Sequence, residues 1–381
     1  MTLRPPTRRN AMALLAACVA SPALRAAGPT SSSEIVLGQF AAHSGPAAEL
    51  GRRMKVGIET CFSDVNAAGG VHGRTLRLVA RDDGYEPERA AAACKQLIAE
   101  DRVFALIGSV GTPTNIAAVP AINAEGIPLI GPFTGAQALR EPFNRNIFHV
   151  RASYFDETER IVEHLTTLGN RKIGVFYQND SYGMAGLAGV KRAMDKRGLQ
   201  PAMAATVERN TVDVAAALKQ VLAAQPEAVV QISAYKSCAA LIKQARAAGY
   251  GGQFFNVSFV GSKALSDQLG DSGPGVVISQ VVPFPYSPAS ALVRDYQLHM
   301  AKAGHKELDF SSLEGYIAAK VVVEGLRRAG KAPTRESLVA ALETFQRWDA
   351  GGFYLSYSAG NHEGSRFTDL TIIGREGRFV R

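Results

Sequence analysis

Short apolar segments alternate with amphipathic ones along most of this chain. The alternation is typical of βαβ units, in which helices cover both faces of a parallel sheet. In the first part of the chain it predicts helices at 47–66 and 87–100, and the turn cluster 66–73 ends the first of them. The runs that predict strands lie at 34–40, 75–81, 104–108 and 127–131. The first part is therefore predicted to be one α/β unit.

The same alternation begins again after Arg151 and predicts a second α/β unit. Its strands are predicted at 172–177, 228–233, 253–257 and 275–282, and its helices at 156–168, 183–197 and 236–248. Closely spaced prolines at 283, 285 and 288 indicate a crossover back to the first unit. Further helices are predicted at 288–303, at 312–329 and from Thr334 onward. From Gly352 the apolar positions alternate with a period of two, which predicts antiparallel hairpins.

These units predict an α/β protein of two doubly wound parallel-sheet lobes, because 381 residues exceed the size at which a single core stops growing. We expect residues 34–154 and 284–355 to form the first lobe, and residues 155–283 and 356–381 to form the second. The chain then crosses between the lobes three times. A hinge of three segments would let the lobes close over a ligand.

Residues 1–27 have the features of a secretory signal peptide. Arg4, Arg8 and Arg9 precede the apolar run 11–20, and small residues follow it. The apolar run is too short to anchor a protein in a bilayer, and no later segment is long and apolar enough to cross one. We therefore expect a protein of the periplasm.

Three forms of processing fit this leader. The small residues around Ala26 and Ala27 favour cleavage there by the ordinary signal peptidase. The tetrapeptide 15–18 resembles a lipobox, in which Cys18 would be lipidated and would anchor the protein, although apolar sequence continues beyond it. The neighbouring arginines Arg8 and Arg9 leave a twin-arginine signal open.

Charge and cysteine content exclude some classes of protein. The formal net charge is +8, but part of the excess lies in the leader and the rest is scattered, so no nucleic-acid surface is predicted. Cys61, Cys94 and Cys238 show no C-x-x-C spacing. We expect them to be small core residues rather than zinc ligands or members of a disulfide framework.

Two strand ends carry candidate binding residues. The segments 104–115 and 127–139 each run from an apolar strand through a loop of small residues toward a predicted helix start, with Thr112 and Thr134 at the junctions. Helix N-termini offer free N–H donors and a partial positive charge, and open α/β sheets bind ligands at the carboxyl ends of their strands. The two junctions together predict a site for a carboxylate or another small anion.

Motifs that would support catalysis are missing from the sequence. It contains no G-x-S-x-G elbow, no Walker lysine, no G-x-G-x-x-G after the first strand and no H-E-x-x-H. The seven histidines are dispersed and do not fall at metal-ligand spacing. We therefore expect a binding protein without cofactor or metal. A solute receptor is the leading hypothesis, a ligand-sensing regulator is the alternative, and an exported enzyme is the third class.

The order of several weak motifs resembles one known family. The strand 34–40, the Ser-Gly-Pro turn 44–46, the Asn-x-x-Gly-Gly-x-x-Gly turn 66–73 and the strand ending in Asp82 and Asp83 are similar to the start of the leucine/isoleucine/valine-binding proteins. These are type I periplasmic substrate-binding proteins of ABC transporters. The resemblance continues to the C-terminal hairpins. It implies a small carboxylate ligand such as an amino acid, an ABC permease in the inner membrane as partner, and no nucleic acid; we expect a monomer.

The resemblance also implies which residues would bind the ligand. In the first lobe it places the ligand's carboxylate near Thr112, the backbone of Phe133, and the loop of Thr134 and Gly135. Tyr182 and Tyr235 match aromatic positions that close over the ligand from the second lobe. Three further residues complete the predicted site: Tyr154 as a wall beside the hinge, Ser258 as a neutral ligand contact or a plain strand-end residue, and Ser44 at the edge of the cleft, where it more simply shapes its turn.

Three departures from the family pattern bear on the ligand. Ser258 stands where amino-acid-binding members have a glutamate that pairs with the ligand's ammonium, which makes an α-amino acid less certain. Leu50 replaces a frequent aromatic residue, and Tyr85 and Gly111 occupy the positions of the usual disulfide. The carboxylates that would substitute for the missing glutamate are Asp156, Glu157 and Asp180.

Overall fold

The computed structural model describes residues 33–381. The predicted signal peptide 1–27, with Cys18 and every predicted form of its processing, lies outside the described residues. Within residues 33–381, the helices are all too short or too polar to cross a lipid bilayer.

The first lobe is built on a parallel sheet with the strand order β2-β1-β3-β4-β5. Its elements are β1 (Glu34–Ala41), α1 (Ala48–Ala67), β2 (Thr75–Asp82), α2 (Pro87–Ala99), β3 (Ala105–Ile107), α3 (Thr112–Ala124), β4 (Leu129–Ile130) and β5 (Ile147–Phe148). All four strand pairs are parallel. The apolar runs predicted as strands therefore line up with their carboxyl ends at one edge, which is where Thr112 and Thr134 lie.

The second lobe is built on a larger sheet with the order β14-β13-β10-β9-β8-β6-β7. The chain enters it through α4 (Tyr154–Thr167), β6 (Ile173–Gln178), α5 (Ser181–Asp195), β7 (Met203–Val207), α6 (Ala215–Ala224), β8 (Ala228–Ile232), α7 (Tyr235–Ala247), β9 (Gln253–Asn256), α8 (Ser262–Leu269) and β10 (Val277–Gln280). Strands β6 to β10 are parallel to one another. The predicted α/β class with two parallel-sheet lobes is confirmed, whereas β7, α6 and α8 were not predicted.

The chain then returns to the first lobe and finally to the second. The returning elements are α9 (Ala291–Lys302), α10 (Phe310–Ala329), α11 (Arg335–Leu342), β11 (Trp348–Asp349) and β12 (Tyr354–Leu355), and the chain ends in β13 (Asp369–Ile373) and β14 (Phe379–Val380). Helix α10 packs on α1. Strands β13 and β14 pair antiparallel, as the alternating pattern predicted, and β13 also joins β10 antiparallel.

Residues 356–364 lie beside the first lobe rather than in the second. The Tyr357 N–H donates to the carbonyl of Phe345 at 2.7 Å, and the His149 N–H donates to the carbonyl of His362 at 2.9 Å. Alternation of apolar residues predicts a strand but does not say which sheet the strand joins. The last crossing therefore follows these residues, and we otherwise retain the predicted division into lobes as a proposal.

The three cysteines of the described chain are buried core residues with free thiols, which confirms the prediction. Cys61 and Cys94 belong to two separate hydrophobic clusters, and Cys238 packs in the second lobe. Burial raises the pKa of the Cys61 and Cys94 thiols to about 12 in each case. These thiols are therefore protonated and unreactive at neutral pH.

Candidate ligand-binding site

Thr112 and Thr134 face each other at the ends of β3 and β4. Their hydroxyl oxygens are 2.6 Å apart, and both side chains are fully buried. The Thr134 hydroxyl also lies 3.4 Å from the phenol oxygen of Tyr154. Three of the predicted site residues thus form one chain of hydroxyl groups where the lobes meet.

Only one of the two predicted helix starts is an α-helix. Helix α3 begins at Thr112 with Gly111 as its N-cap, so the Thr112 hydroxyl is not used for capping. The segment after Thr134 forms a single turn of 3₁₀-helix at Gln137–Leu139, and the Thr134 hydroxyl accepts from the Ala136 N–H at 3.2 Å. The prediction of two α-helix N-termini facing the site was wrong, and α3 alone supplies free first-turn amides.

Phe133 and Gly135 hold the first-lobe loops in place. The Phe133 N–H donates to the carbonyl of Ser109 at 2.7 Å, and the Phe133 carbonyl accepts from Gly111 at 3.3 Å. The Gly135 carbonyl accepts from the Tyr154 N–H at 2.7 Å, and a Cβ atom at Gly135 would lie 2.7 Å from that nitrogen. A residue without a side chain is therefore needed for α4 to start beside the loop.

Tyr182 brings the second lobe to the same place. It lies in the first turn of α5, which Asp180 caps, and it is fully buried. Its ring centre is 5.4 Å from that of Tyr154 and 4.5 Å from that of Phe259. Its hydroxyl has no hydrogen-bond partner among residues 33–381. Burial raises the pKa of Tyr154 to about 12 and that of Tyr182 well above its usual range, so both phenols keep their protons.

Tyr235 and Ser44 lie at the rim of the cleft. The hydroxyl of Tyr235 accepts from the Glu49 N–H in the first lobe at 3.5 Å, which joins the two lobes outside the hydroxyl chain. Ser44 is exposed, and its hydroxyl donates to the Asp82 carboxylate. Burial would raise the pKa of Asp82, but hydrogen bonds from Ser44 and neighbouring N–H groups hold it at about 2. Ser44 therefore shapes its turn and does not join the other site residues.

Ser258 contacts a buried arginine that was missed as a site residue. Arg151, in the hinge between β5 and α4, donates to the Ser258 hydroxyl, and its guanidinium carbon lies 4.8 Å from the ring centre of Phe133. Its side chain is fully buried, 3.5 Å from Glu157 and 3.6 Å from Glu314. Burial lowers the pKa of Arg151, but these two carboxylates more than offset it. The guanidinium therefore remains charged.

Glu314 is a buried carboxyl group with a raised pKa. It lies in α10, and burial raises its pKa to about 7 despite the nearby charge of Arg151. Glu157 accepts instead from the Ser258 N–H at 2.8 Å and from the Ser279 hydroxyl. This buried network joins the hinge to both lobes.

Tyr85 and Phe259 also reach the site. The Phe259 ring centre lies 5.4 Å from Phe133 and 6.0 Å from Tyr85. The rings of Tyr85, Phe133, Tyr154, Tyr182 and Phe259 therefore form one aromatic cluster between the lobes. Tyr85 and Gly111, where the family resemblance would place a disulfide, are neighbours: a Cβ atom at Gly111 would lie 2.4 Å from the Tyr85 ring.

The cleft is closed in this structure. The Tyr85 hydroxyl accepts from the Gln178 side chain of the second lobe at 3.2 Å. At the rim, the Glu86 carboxylate accepts from Arg209 at 2.9 Å and from Asn210 at 2.7 Å. Leu50 packs against the second lobe as well, because a Cβ atom at Gly261 would lie 2.5 Å from its side chain.

Among residues 33–381, no group of three or more His, Cys, Asp or Glu side chains is placed to hold a metal ion. The arrangement consists of hydroxyl, amide and guanidinium donors with aromatic walls. Donors of this kind can bind an oxygen-bearing anion, and aromatic walls can hold an apolar body beside it.

Comparison with known proteins identifies the family and the fold of the chain. The family model described as "Periplasmic binding protein" matches residues 34–372. A possible leucine/isoleucine/valine-binding protein from Rhodopirellula baltica SH 1 is 36% identical, with a TM-score of 0.88 over 93% of this chain and 98% of that one. A substrate-binding periplasmic protein from Ralstonia solanacearum is 31% identical, with a TM-score of 0.87 over 91% and 99%.

A similar relationship is found in sequence alone. The Leu/Ile/Val-binding protein homolog 7 of Brucella abortus (strain 2308) is 26% identical over 379 residues, which cover 94% of this chain and 93% of that protein. The match thus extends over both lobes in sequence and in structure. The chain therefore belongs to the periplasmic binding protein family, in its leucine/isoleucine/valine-binding type, and has the type I fold of that family.

Proposed function

We propose that this protein is the extracytoplasmic substrate-binding component of a branched-chain-amino-acid-type ABC transporter. It captures a small carboxylate-bearing molecule between its lobes and delivers it to a permease in the inner membrane. The hydroxyl chain of Thr112, Thr134 and Tyr154 at the start of α3 carries this proposal. Membership of the family supports the transport role.

The first lobe binds the carboxylate. Its oxygens accept from the Thr112 hydroxyl and from the free amides in the first turn of α3, where the helix dipole also favours negative charge. When the carboxylate binds, hydrogen bonds to this ion replace the hydrogen bond between the Thr112 and Thr134 hydroxyls. Hydrogen bonds to a charged acceptor are stronger than those between neutral groups, so the exchange favours binding.

Closure of the lobes completes the site. Tyr182 of the second lobe has a hydroxyl without a hydrogen-bond partner among the described residues, and the bound carboxylate accepts a hydrogen bond from it. A ligand that contacts both lobes binds the closed state more tightly than the open one, and therefore raises the closed population. The closed form is the species that the permease recognises.

The site binds without turnover. A catalytic hydroxyl needs an adjacent base to remove its proton, whereas the partner of the Thr112 hydroxyl is the hydroxyl of Thr134. The buried carboxylates Glu157 and Glu314 lie beside Arg151, 3.5 Å and 3.6 Å from its guanidinium group.

Thr112→Val tests the assignment, since valine keeps the shape and removes the hydroxyl. We expect the affinity for the best-binding carboxylate in a titration panel to fall at least about tenfold, because a hydrogen bond to an ion is lost. Isothermal titration calorimetry measures the change.

Thr60→Val is the matched control. Thr60 is equally buried, but its hydroxyl contacts the sulfur of Met300 in the first lobe. This variant should bind like the parent protein. If Thr112→Val folds and binds every carboxylate as the parent does, the assignment is wrong.

A further inference from the structure

The hinge contains a buried cluster in which two carboxyl groups face one guanidinium group. Arg151 lies between β5 and α4, Glu157 lies in the first turn of α4, and Glu314 lies in α10 of the first lobe. The side chains of Arg151 and Glu157 are fully buried, and that of Glu314 is 4% exposed. If both carboxyl groups are ionised, the cluster holds an excess of negative charge away from water, which is unfavourable.

The two carboxyl groups differ in their hydrogen bonds. One oxygen of Glu157 accepts from the Ser258 N–H at 2.8 Å and from the Ser279 hydroxyl, and the other accepts from Arg151 at 3.5 Å. The described residues donate no hydrogen bond to Glu314, whose nearest charged neighbour is the Arg151 Nε at 3.6 Å. A buried carboxylate without donors is costly, and a bound proton removes its charge. Glu314 is therefore the member of the cluster suited to bind a proton.

Charged groups on the elements that pack against α10 pair with one another and not with Glu314. These pairs are Arg53 of α1 with Asp309, Lys263 of α8 with Asp267, and Asp295 of α9 with Lys320. Strand β4 and the face of α11 that packs on α10 present apolar side chains. Their charges thus leave the balance of the cluster unchanged.

The hinge side of the cluster adds no counter-charge for Glu314. Arg140 donates to the carbonyl of Arg151 at 3.1 Å, and its own guanidinium lies 3.7 Å from Glu363. Tyr154 and Tyr182 keep their protons and are neutral. Burial raises the pKa of Glu314 to about 7, the charge of Glu157 adds to the rise, and Arg151 opposes it. Proton exchange at Glu314 therefore falls near neutral pH.

We propose that closure of the cleft takes up a proton at Glu314, so that the protein binds its ligand more tightly as the pH falls. This inference rests on the proposed function of the same cleft. When the lobes part, Glu157 and Ser258 move away with the second lobe, and water reaches and stabilises the ionised form of Glu314. The closed form then binds more protons than the open form below about pH 7, which raises the closed population and the affinity there.

Calorimetry on the parent protein tests the inference, with L-leucine, L-phenylalanine and 4-methylpentanoate as probes. For the probe that binds most tightly, we expect affinity to be about tenfold higher at about pH 6 than at about pH 8. All three probes keep an ionised carboxylate over this range. Titrations at about pH 7 in phosphate and in Tris, whose ionisation enthalpies differ, should show uptake of about half a proton per ligand. This second measurement does not depend on the folding of any variant.

A variant assigns the proton to its site. Glu314→Gln keeps the shape of the side chain and removes the titrating group, so both the pH dependence and the proton uptake should disappear. Asp83→Asn is the matched control. Asp83 is also buried with a pKa raised to about 7, but it lies in the loop after β2 and accepts from the Tyr85 N–H at 2.7 Å. This variant should keep the pH dependence.

The outcomes separate the two proposals. If a probe binds the parent protein equally well at both pH values and without proton uptake, the inference is overturned while the proposed function stands. A pH dependence that persists in Glu314→Gln, or that is lost in Asp83→Asn, overturns it as well. If no carboxylate binds the parent protein, the proposed function falls and this inference falls with it.

Discussion

Tyr182 carries a buried hydroxyl without a hydrogen-bond partner among residues 33–381, and we propose that a bound ligand supplies one. A buried donor without a partner destabilises the folded protein, because the group has lost its water. Tyr182→Phe should therefore raise the free energy of unfolding of the ligand-free protein by about 1 kcal/mol. The same change should lower carboxylate affinity about tenfold. Urea unfolding and calorimetry measure the two effects.

Tyr296→Phe is the control for Tyr182→Phe, because it removes a buried hydroxyl that does have hydrogen-bond partners. The Tyr296 hydroxyl is also buried, but it bonds with Ser312 at 2.6 Å and accepts from the Asp309 N–H at 3.1 Å. Its removal should lower stability and leave affinity unchanged. Unchanged affinity in Tyr182→Phe would show that this hydroxyl does not meet the ligand.

At the scale of residues, sequence predicted those parts of the cleft that follow directly from strand ends. Thr112 and Thr134 were identified because each ends a buried strand, and they do meet. Arg151 and Phe259 were not identified, since they reach the cleft from the hinge and from a turn after β9. No local pattern shows that residues so far apart in the chain will share one cluster.

The start of helix α3 depends on a backbone conformation that only glycine adopts readily. Gly111 has φ +104° and ψ 152°, and a Cβ atom there would lie 2.4 Å from the Tyr85 ring. Gly111→Ala adds backbone strain and a clash, so we expect it to lower the free energy of unfolding by at least about 2 kcal/mol. Ligand affinity should fall too, because Thr112 is displaced.

Gly126 lies just beyond the other end of the same helix. The variant Gly126→Ala separates the effect of backbone strain from the effect of a steric clash. Gly126 also has a positive φ, +54°, but nothing lies within 4 Å of its Cβ position. Its substitution should cost about 1 kcal/mol and leave affinity intact. Equal losses in the two variants would mean that the contact with Tyr85 has no energetic role.

At the scale of elements, the strands and helices with clear periodicity were predicted. The α-helix expected to start within 127–139 was not found. Small residues after a strand suggest a helix start, yet the segment makes one 3₁₀ turn and continues to β5. The next residue, Arg140, donates to the carbonyl of Arg151 in the hinge at 3.1 Å. Tertiary contacts of this kind override local preference.

Contacts at the rim hold the two lobes together. Glu86 accepts from both Arg209 and Asn210 of the second lobe. Glu86→Ala should lower the closed population, and affinity should fall about threefold, since partly exposed charge pairs contribute little each. Small-angle X-ray scattering of the ligand-free protein should show a larger radius of gyration, and calorimetry gives the affinity.

Glu336→Ala provides the comparison for this variant. Glu336 accepts from Arg145 at 2.7 Å and 3.0 Å, but both residues belong to the first lobe. Neither scattering nor affinity should change. If Glu86→Ala scatters and binds like the parent protein, the rim contacts do not control closure.

At the scale of the whole molecule, the two-lobe α/β fold could be predicted because the alternation of strands and helices runs through the entire described chain. The last crossing could not be placed, since 356–364 have the pattern of a strand but bond to the first lobe. Closure of the cleft between the lobes could not be predicted from the sequence either. It depends on the summed contacts of two surfaces, each of which is formed only after its lobe has folded.

The contact between Tyr85 and Gly111 has a practical consequence for handling the protein. The family resemblance would place a disulfide at these two positions, whereas here the Tyr85 ring packs against Gly111. The three cysteine thiols of the described chain are free and buried. We therefore expect residues 33–381 to fold without an oxidant. The same cleft should form with or without reductant, and titrations carried out under both conditions should give the same affinity.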